Sequence, residues 1–141
     1  MRASLANGRQ WLAARRGSLS AFGAEEIAMA QSRLRDAPRT LLLAGSCGLS
    51  LLDALIATFD DAERARLRVV AYGAVARRWP HGIVGTALRG DRDRIARWFG
   101  PHDGPAPRSL ACGHLDYLDD RHHTRVIDAA HAQFAWLRGD A

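Results

Sequence analysis

The stretch from Arg39 to Thr58 restricts the fold more than any other part of the chain. An apolar run at residues 41–44 leads into a turn of small residues at 45–48 (GSCG), and a helical pattern follows the turn. A strand without polar alternation is typical of a parallel sheet that is covered on both faces. The turn carries a hydroxyl and a thiol, two groups that can act as nucleophiles. We therefore expect an α/β fold with this turn at the end of a strand.

Strand and helix patterns alternate along the rest of the chain. Strands are predicted over residues 18–22, 40–44, 67–72, 83–88 and 109–112. Helices are predicted over residues 9–16, 24–35, 47–59 and 124–137, and a helix or turn over residues 91–99. Strands that alternate with helices argue for a parallel sheet with helices on its faces. The predicted fold is a three-layer α/β sandwich with a small, mostly parallel sheet of about five strands. Its length predicts a single domain over residues 1–141.

The composition is ordinary for a globular protein, at 48% hydrophobic and 25% charged residues. The sequence contains no apolar run close to the roughly 20 residues that a membrane-spanning helix needs. The first residues carry charges and lack the uninterrupted apolar stretch of a secretory signal. We therefore expect a cytoplasmic protein without a membrane partner.

The chain is basic, with a formal net charge of +5, and every basic residue apart from histidine is arginine. A basic surface can attract nucleic acid. Here the arginines are scattered, and several alternate with acids, as in Asp91-Arg92-Asp93-Arg94. Because no dense basic tract is present, nucleic acid is not the expected partner.

The chain has two cysteines, Cys47 and Cys112. Two cysteines in a domain of this length do not form a disulfide framework, and we expect both to stay reduced. They could converge with Asp93 and His114 on a zinc ion, but the sequence has no C-x-x-C or H-E-x-x-H spacing. We therefore expect neither a metal nor another cofactor.

Chemically useful side chains follow three of the predicted strands. Ser46 comes after strand 40–44, the segment Gly90-Asp91-Arg92-Asp93 after strand 83–88, and His114 after strand 109–112. In parallel sheets, functional groups gather beyond the carboxyl ends of the strands. A serine hydroxyl needs a base to accept its proton, and the imidazole needs an acid that fixes its tautomer. The order serine, acid, histidine therefore predicts a nucleophilic site.

These segments resemble the α/β-hydrolase superfamily, in the pieces AGSCG, GDRD and CGHLDYL and in their order. The resemblance implies a small hydrolase without a lid, acting on an ester or thioester of a small-molecule or carrier-bound acyl group. It also implies that Ser46 is the nucleophile, His114 the general base and Asp93 the acid. The backbone N–H of Cys47 would then serve the oxyanion.

Two assignments have alternatives. The turn is so tight that the residues two before and two after the nucleophile should be small. Ala44 and Gly48 meet this condition for Ser46, whereas Leu49 would crowd Cys47, so Cys47 is the alternative nucleophile. For the acid, the G-x-x-D pattern of the family favours the second aspartate, Asp93, over the first.

The chain departs from the family at its start. Residues 1–5 are too short and polar for the early strand, and only Asn7-Gly8 stands where a second oxyanion donor would come from. Losing one such donor costs about 2.7–4 kcal/mol of transition-state stabilisation. The alternatives are a donor from Asn7 or Gly8, a donor from a second subunit, or a weak or inactive protein that binds a ligand or partner. An uncovered sheet edge also favours a homodimer.

Overall fold

The computed structural model describes residues 12–13 and 15–140. It has an α/β architecture, a small parallel sheet flanked by helices. Within the described residues the sheet has four strands, which pair in the order β1-β2-β3-β4. All three pairings are parallel. The strands are β1 (Thr40–Gly45), β2 (Leu67–Tyr72), β3 (Val84–Gly90) and β4 (Arg108–Leu110).

Helices lie before or after each strand. The helices that begin at Gly48 and Arg94 start at the site described below. In chain order the helices are α1 (Ala24–Asp36), α2 (Gly48–Leu55), α3 (Asp61–Ala65), α4 (Arg94–Phe99), α5 (His123–His131) and α6 (Phe134–Arg138). None of the helices in this described part of the chain combines the length and apolarity needed to cross a membrane.

The central strand β2 separates two hydrophobic cores. Val69 and Ala71 point into one core with residues of α1 and α2, and Val70 points into the other with residues of α5. Side chains alternate between the two faces of a strand, so a strand buried on both faces must be apolar throughout its centre. The uniformly apolar segment at 69–71 meets that requirement.

The predicted strand over residues 18–22 is wrong. This segment is a turn, in which the Phe22 N–H donates to the Leu19 carbonyl at 2.9 Å and the Ser18 hydroxyl donates to the Ser20 hydroxyl at 2.8 Å. Short side-chain bonds of this kind offer serine-rich segments an alternative to strand pairing. The predicted fifth strand is thus absent from the described residues. The predicted helix over residues 9–16 lies mostly outside them.

Two predicted helices are shorter than their apolar patterns suggest. The helix predicted over residues 47–59 ends at Leu55, because the Arg64 guanidinium donates to the Ile56 and Phe59 carbonyls and stabilises a non-helical end. The helix predicted over residues 124–137 is divided into α5 and α6. The apolar spacing continues across the break, which is why the sequence does not reveal it.

Candidate active site

The turn after β1 holds Ser46 in an uncommon backbone conformation. Its φ is +49°, and it is the one non-glycine residue with positive φ in the part of the chain that the structure describes. Such a conformation costs about 1–3 kcal/mol and persists only where neighbouring bonds enforce it. Here the Ser46 N–H donates to the Tyr72 carbonyl at 3.1 Å, and the Val75 N–H donates to the Ser46 carbonyl at 2.9 Å. Both bonds tie the turn to the end of β2.

A side chain at Gly45, the residue before Ser46, would collide with Tyr72. A Cβ on Gly45 would lie 2.5 Å from the Tyr72 ring, far inside van der Waals contact. On the other side of the turn, a Cβ on Gly48 would meet only the Ala44 side chain, at an ordinary 3.6 Å. The small residues that the sequence analysis noted therefore have different roles: Gly45 admits the aromatic ring, and Gly48 begins α2.

A continuous chain of hydrogen bonds joins Ser46, His114 and Asp93. Ser46 Oγ lies 3.2 Å from His114 Nε2, and His114 Nδ1 lies 3.0 and 2.9 Å from the two carboxylate oxygens of Asp93. An ionised carboxylate can only accept hydrogen bonds, so Nδ1 carries the proton. Nε2 is then the acceptor for the Ser46 hydroxyl. The structure thus brings together three side chains from three strand ends.

Asp93 combines full burial with three hydrogen-bond donors. It is the N-cap of α4, where its Oδ1 accepts from the Ala96 N–H at 2.8 Å, and its Oδ2 accepts from the Tyr117 hydroxyl at 2.7 Å. Burial acts to raise the pKa of Asp93, but the bonds from Ala96, Tyr117 and His114 outweigh it and lower the pKa. The side chain is therefore a carboxylate at neutral pH, although it is 0% exposed.

Sequence reasoning missed Tyr117. Its hydroxyl is the donor to Asp93 and also accepts from the Gly90 N–H at 2.7 Å. Burial, followed by the bond to Asp93, raises the pKa of Tyr117, so the phenol stays neutral. The only signal in the sequence was its place three residues after His114 in the segment CGHLDYL. That position alone does not predict a partner.

Glycine lets Tyr117 and Asp93 approach each other. Gly73, directly after β2, has φ +55°, and a Cβ there would lie 2.6 Å from the Tyr117 ring and 3.2 Å from Asp93 Oδ2. Gly90 is equally restricted, since its Cβ would lie 2.3 Å from the Cys112 carbonyl oxygen. These close approaches fix the loops after β2, β3 and β4 relative to one another.

A short turn presents His114. The Gly113 N–H donates to the Asp116 carboxylate at 2.8 Å, which closes the turn around the imidazole. The His114 side chain is 14% exposed, so one edge reaches the surface while Nδ1 faces the buried Asp93. An imidazole in this position can exchange a proton with Ser46 and still be reached by a substrate.

The alternative residues occupy different environments. Cys47 is buried, and burial raises the pKa of its thiol, with smaller opposing effects from Ser46 and Arg15. A raised pKa disfavours the thiolate that would be the attacking species. Asp91 is exposed beside Arg92, at 3.8 Å. Asn7 and Gly8 lie outside the described residues.

Metal ligands do not cluster around these side chains. Across residues 12–13 and 15–140, no group of three or more His, Cys, Asp or Glu side chains is arranged to hold an ion. Cys112 is fully buried, and burial raises the pKa of its thiol. The neutral thiol packs in the core with Val70 and Tyr117.

An apolar groove of about 300 Å³ begins beside the Ser46 turn and runs along β1. Gly45 and Gly48 form the end next to Ser46. Among the described residues that line the groove, Glu26 is the one that carries a charge, and its carboxylate accepts from the Gly23 N–H at 2.8 Å. The remaining lining is apolar: Leu19, Phe22, Ile27, Ala30, Leu42, Leu43, Ala44, Leu51, Leu52 and Leu55.

Comparison of the chain with protein-family models, with curated proteins and with solved structures found no match.

Proposed function

We propose that the protein is a small serine hydrolase, similar to α/β-hydrolases, that cleaves a carboxylic ester or thioester. The observation that carries the proposal is the hydrogen-bond chain from Ser46 Oγ through His114 to the buried Asp93 carboxylate. The uncommon backbone of Ser46 supports it, because strain of this kind concentrates at functional positions.

In the first step, Ser46 Oγ attacks the carbonyl carbon of the substrate while its proton passes to His114 Nε2. The carbonyl oxygen becomes an oxyanion, and the Cys47 N–H is the proposed donor to it. Asp93 stays ionised and stabilises the imidazolium that forms. When the tetrahedral intermediate collapses, the bond to the leaving alcohol or thiol breaks, and His114 returns the proton to that leaving group.

Water completes the cycle. His114 Nε2 accepts a proton from the water as its oxygen attacks the acyl carbon, and the bond from that carbon to Ser46 Oγ then breaks. The proton returns to Oγ, and the carboxylic acid leaves. The connection between β2 and β3 is short, and the groove beside Ser46 is open. Both features suit a small-molecule or carrier-bound acyl substrate.

Active-site labelling tests the proposal. We expect a fluorophosphonate probe to label the wild-type protein and the Cys47→Ala variant, and to leave Ser46→Ala unlabelled. We also expect p-nitrophenyl acyl esters to be cleaved by the first two proteins only. The circular dichroism spectra of all three proteins establish that they are folded.

The outcomes separate the proposal from its alternatives. Labelling that disappears in Cys47→Ala and persists in Ser46→Ala would make Cys47 the nucleophile. If the folded wild type is neither labelled nor active above the Ser46→Ala background, the protein is not a serine hydrolase. The alternative would then hold, in which the protein is catalytically inactive and binds a ligand or partner.

A further inference from the structure

We propose that Tyr117 is a positioning residue that holds the Asp93 carboxylate ionised and correctly oriented, so that the proton taken from Ser46 stays on His114. The inference rests on the proposed function, because it assigns a role within the same hydrogen-bond chain. It concerns a residue that contacts neither Ser46 nor a substrate in that mechanism.

The direction of the Tyr117 hydroxyl proton is determined by its two neighbours. The Gly90 N–H points at the phenol oxygen at 2.7 Å, so this oxygen accepts one bond. The hydroxyl proton then lies toward Asp93 Oδ2, also at 2.7 Å. A backbone N–H cannot rotate away, and Tyr117 is only 3% exposed. Tyr117 is therefore a fixed donor to the carboxylate.

Asp93 depends on such donors because its charge is otherwise poorly compensated. Its side chain is 0% exposed, and among the described residues no arginine forms an ion pair with it. A buried carboxylate without solvent or cations remains ionised only if hydrogen bonds replace its hydration. Besides His114 Nδ1, which lies within hydrogen-bond distance of both oxygens, Ala96 supplies one bond to Oδ1 and Tyr117 supplies one to Oδ2.

The phenol also limits how strongly Asp93 attracts the imidazole proton. Each donor to a carboxylate disperses its charge and lowers its basicity. Without the Tyr117 hydroxyl, the Asp93 carboxylate would be more basic and would hold the Nδ1 proton more strongly. The proton would then remain with the Asp93–His114 pair as a whole to a higher pH.

Other titratable groups do not account for the same effect. The groups that face Asp93 are His114, Tyr117 and the Cys112 thiol, whose raised pKa keeps it neutral. Asp91, Arg92 and Asp116 act on the Cys112 thiol and are not among the groups that shift the pKa of Asp93. The Tyr117→Phe substitution changes none of these other side chains.

The chain supplies a matched control in its only other tyrosine, Tyr72. The two rings are in contact, with centroids 5.8 Å apart. The Tyr72 hydroxyl makes no hydrogen bond within the described residues, whereas that of Tyr117 bonds to Asp93. Tyr72→Phe thus removes a hydroxyl from the same aromatic pair without changing the carboxylate.

The experiment measures kcat and KM for p-nitrophenyl acetate from about pH 5 to about pH 9 in wild type, Tyr117→Phe and Tyr72→Phe. For Tyr117→Phe we expect kcat to fall about ten- to a hundredfold, with KM little changed, because Asp93 would lose the bond that orients its carboxylate toward His114. We also expect the acid limb of the kcat/KM profile to move to higher pH by about half a unit or more. Tyr72→Phe should keep the acid limb at its wild-type pH, because the bonds to the Asp93 carboxylate are unchanged.

A second experiment strengthens the same bond instead of removing it. Replacing tyrosine by 3-fluorotyrosine in the Tyr72→Phe background modifies Tyr117 alone and makes its hydroxyl a better donor. The acid limb should then move to lower pH, opposite to the shift in Tyr117→Phe. This experiment stays informative if Tyr117→Phe does not fold.

Failure of the inference is distinguishable from failure of the proposed function. The inference is overturned if Tyr117→Phe matches Tyr72→Phe in profile, or if fluorination moves the limb upward. If the wild type is inactive, the carboxyl ¹³C resonance of Asp93 still gives its pKa in each variant. An equal Asp93 pKa with and without the Tyr117 hydroxyl would then overturn the inference independently of catalysis.

Discussion

The two sides of the Ser46 turn differ in how their polar groups are satisfied. Toward β3 and β4 lie His114, Asp93 and Tyr117, which are linked by hydrogen bonds of 2.7–3.0 Å. No buried side-chain nitrogen or oxygen in the described residues lacks a partner. Toward β1, the edge strand of the described sheet, lies the apolar groove, where Leu43 is 56% exposed. The first side is closed and polar, and the second is open and apolar.

This difference separates two kinds of sensitivity to mutation. Hydrogen bonds depend on the identity and position of single atoms, and a buried group that loses its partner costs about 1–3 kcal/mol or more. Apolar contact depends on area and tolerates exchange of similar side chains. We therefore expect small chemical changes on the polar side to have large effects, and larger changes on the groove side to have small ones.

The largest effect is expected for Asp93→Asn. Because the Ala96 N–H needs an oxygen at the Oδ1 position, the NH2 group of asparagine would replace Oδ2 and face Tyr117 and His114. The imidazole would then lose one of the two acceptors that keep the proton on Nδ1. We expect kcat for p-nitrophenyl acetate to fall about 10⁴-fold, as loss of the correct tautomer does in serine proteases. Asp91→Asn is the control, because this neighbouring aspartate is exposed. A similar loss in both variants would contradict the assignment of Asp93.

A stability effect follows from the close approach at Gly73. Alanine there would adopt φ +55° and collide with the Tyr117 ring, so we expect Gly73→Ala to lower the free energy of unfolding by about 2–4 kcal/mol. Gly82→Ala has the same type of backbone strain at φ +73°, but its Cβ would meet Arg64 only at 3.4 Å. It should cost about 1–2 kcal/mol. Urea unfolding measures both free energies. Equal costs would mean that the Tyr117 ring moves aside with little loss of stability.

A smaller, pH-dependent effect follows from the lowered pKa of Asp93. A carboxyl group whose pKa is lower when folded stabilises the protein above its unfolded pKa, near the ordinary 3.8, and loses this stabilisation as the pH falls through the folded value. The difference in unfolding free energy between wild type and Asp93→Asn should be constant near neutrality. Below about pH 4, the wild type should lose stability relative to Asp93→Asn. A difference that grows toward acid would reverse the assigned direction.

The sequence predicted the elements whose signal is local. The boundaries of β2 were predicted as observed, and β1 and α1 differ from prediction by one residue, because uniformly apolar or amphipathic segments determine them. The turn at 18–22 was mistaken for a strand, since alternation in five residues does not distinguish a strand from a serine-rich turn. The C-terminal end of α2 depends on Arg64, which lies beyond the helix in sequence.

The candidate site was predictable to the extent that strand order places residues. Ser46, Asp93 and His114 each follow a strand, and parallel strands end at one edge of the sheet, so their convergence follows from topology. Tyr117 was not predictable in this way. Its bond to Asp93 spans 24 positions and depends on close packing of the loops after β2 and β3, including the absence of a side chain at Gly73.

The smallest effect is expected on the groove side, for Leu43→Gln. Because Leu43 is largely exposed already, the change should alter the free energy of unfolding by no more than about 0.5 kcal/mol and leave fluorophosphonate labelling of Ser46 unchanged. Leu42→Gln is the comparison, since Leu42 packs against the core beside β2 and its loss should cost about 1–3 kcal/mol. If Leu43→Gln instead lowers esterase activity tenfold at unchanged stability, the groove takes part in substrate binding. The apolar side would then be as specific as the polar one, and the contrast between them would not hold.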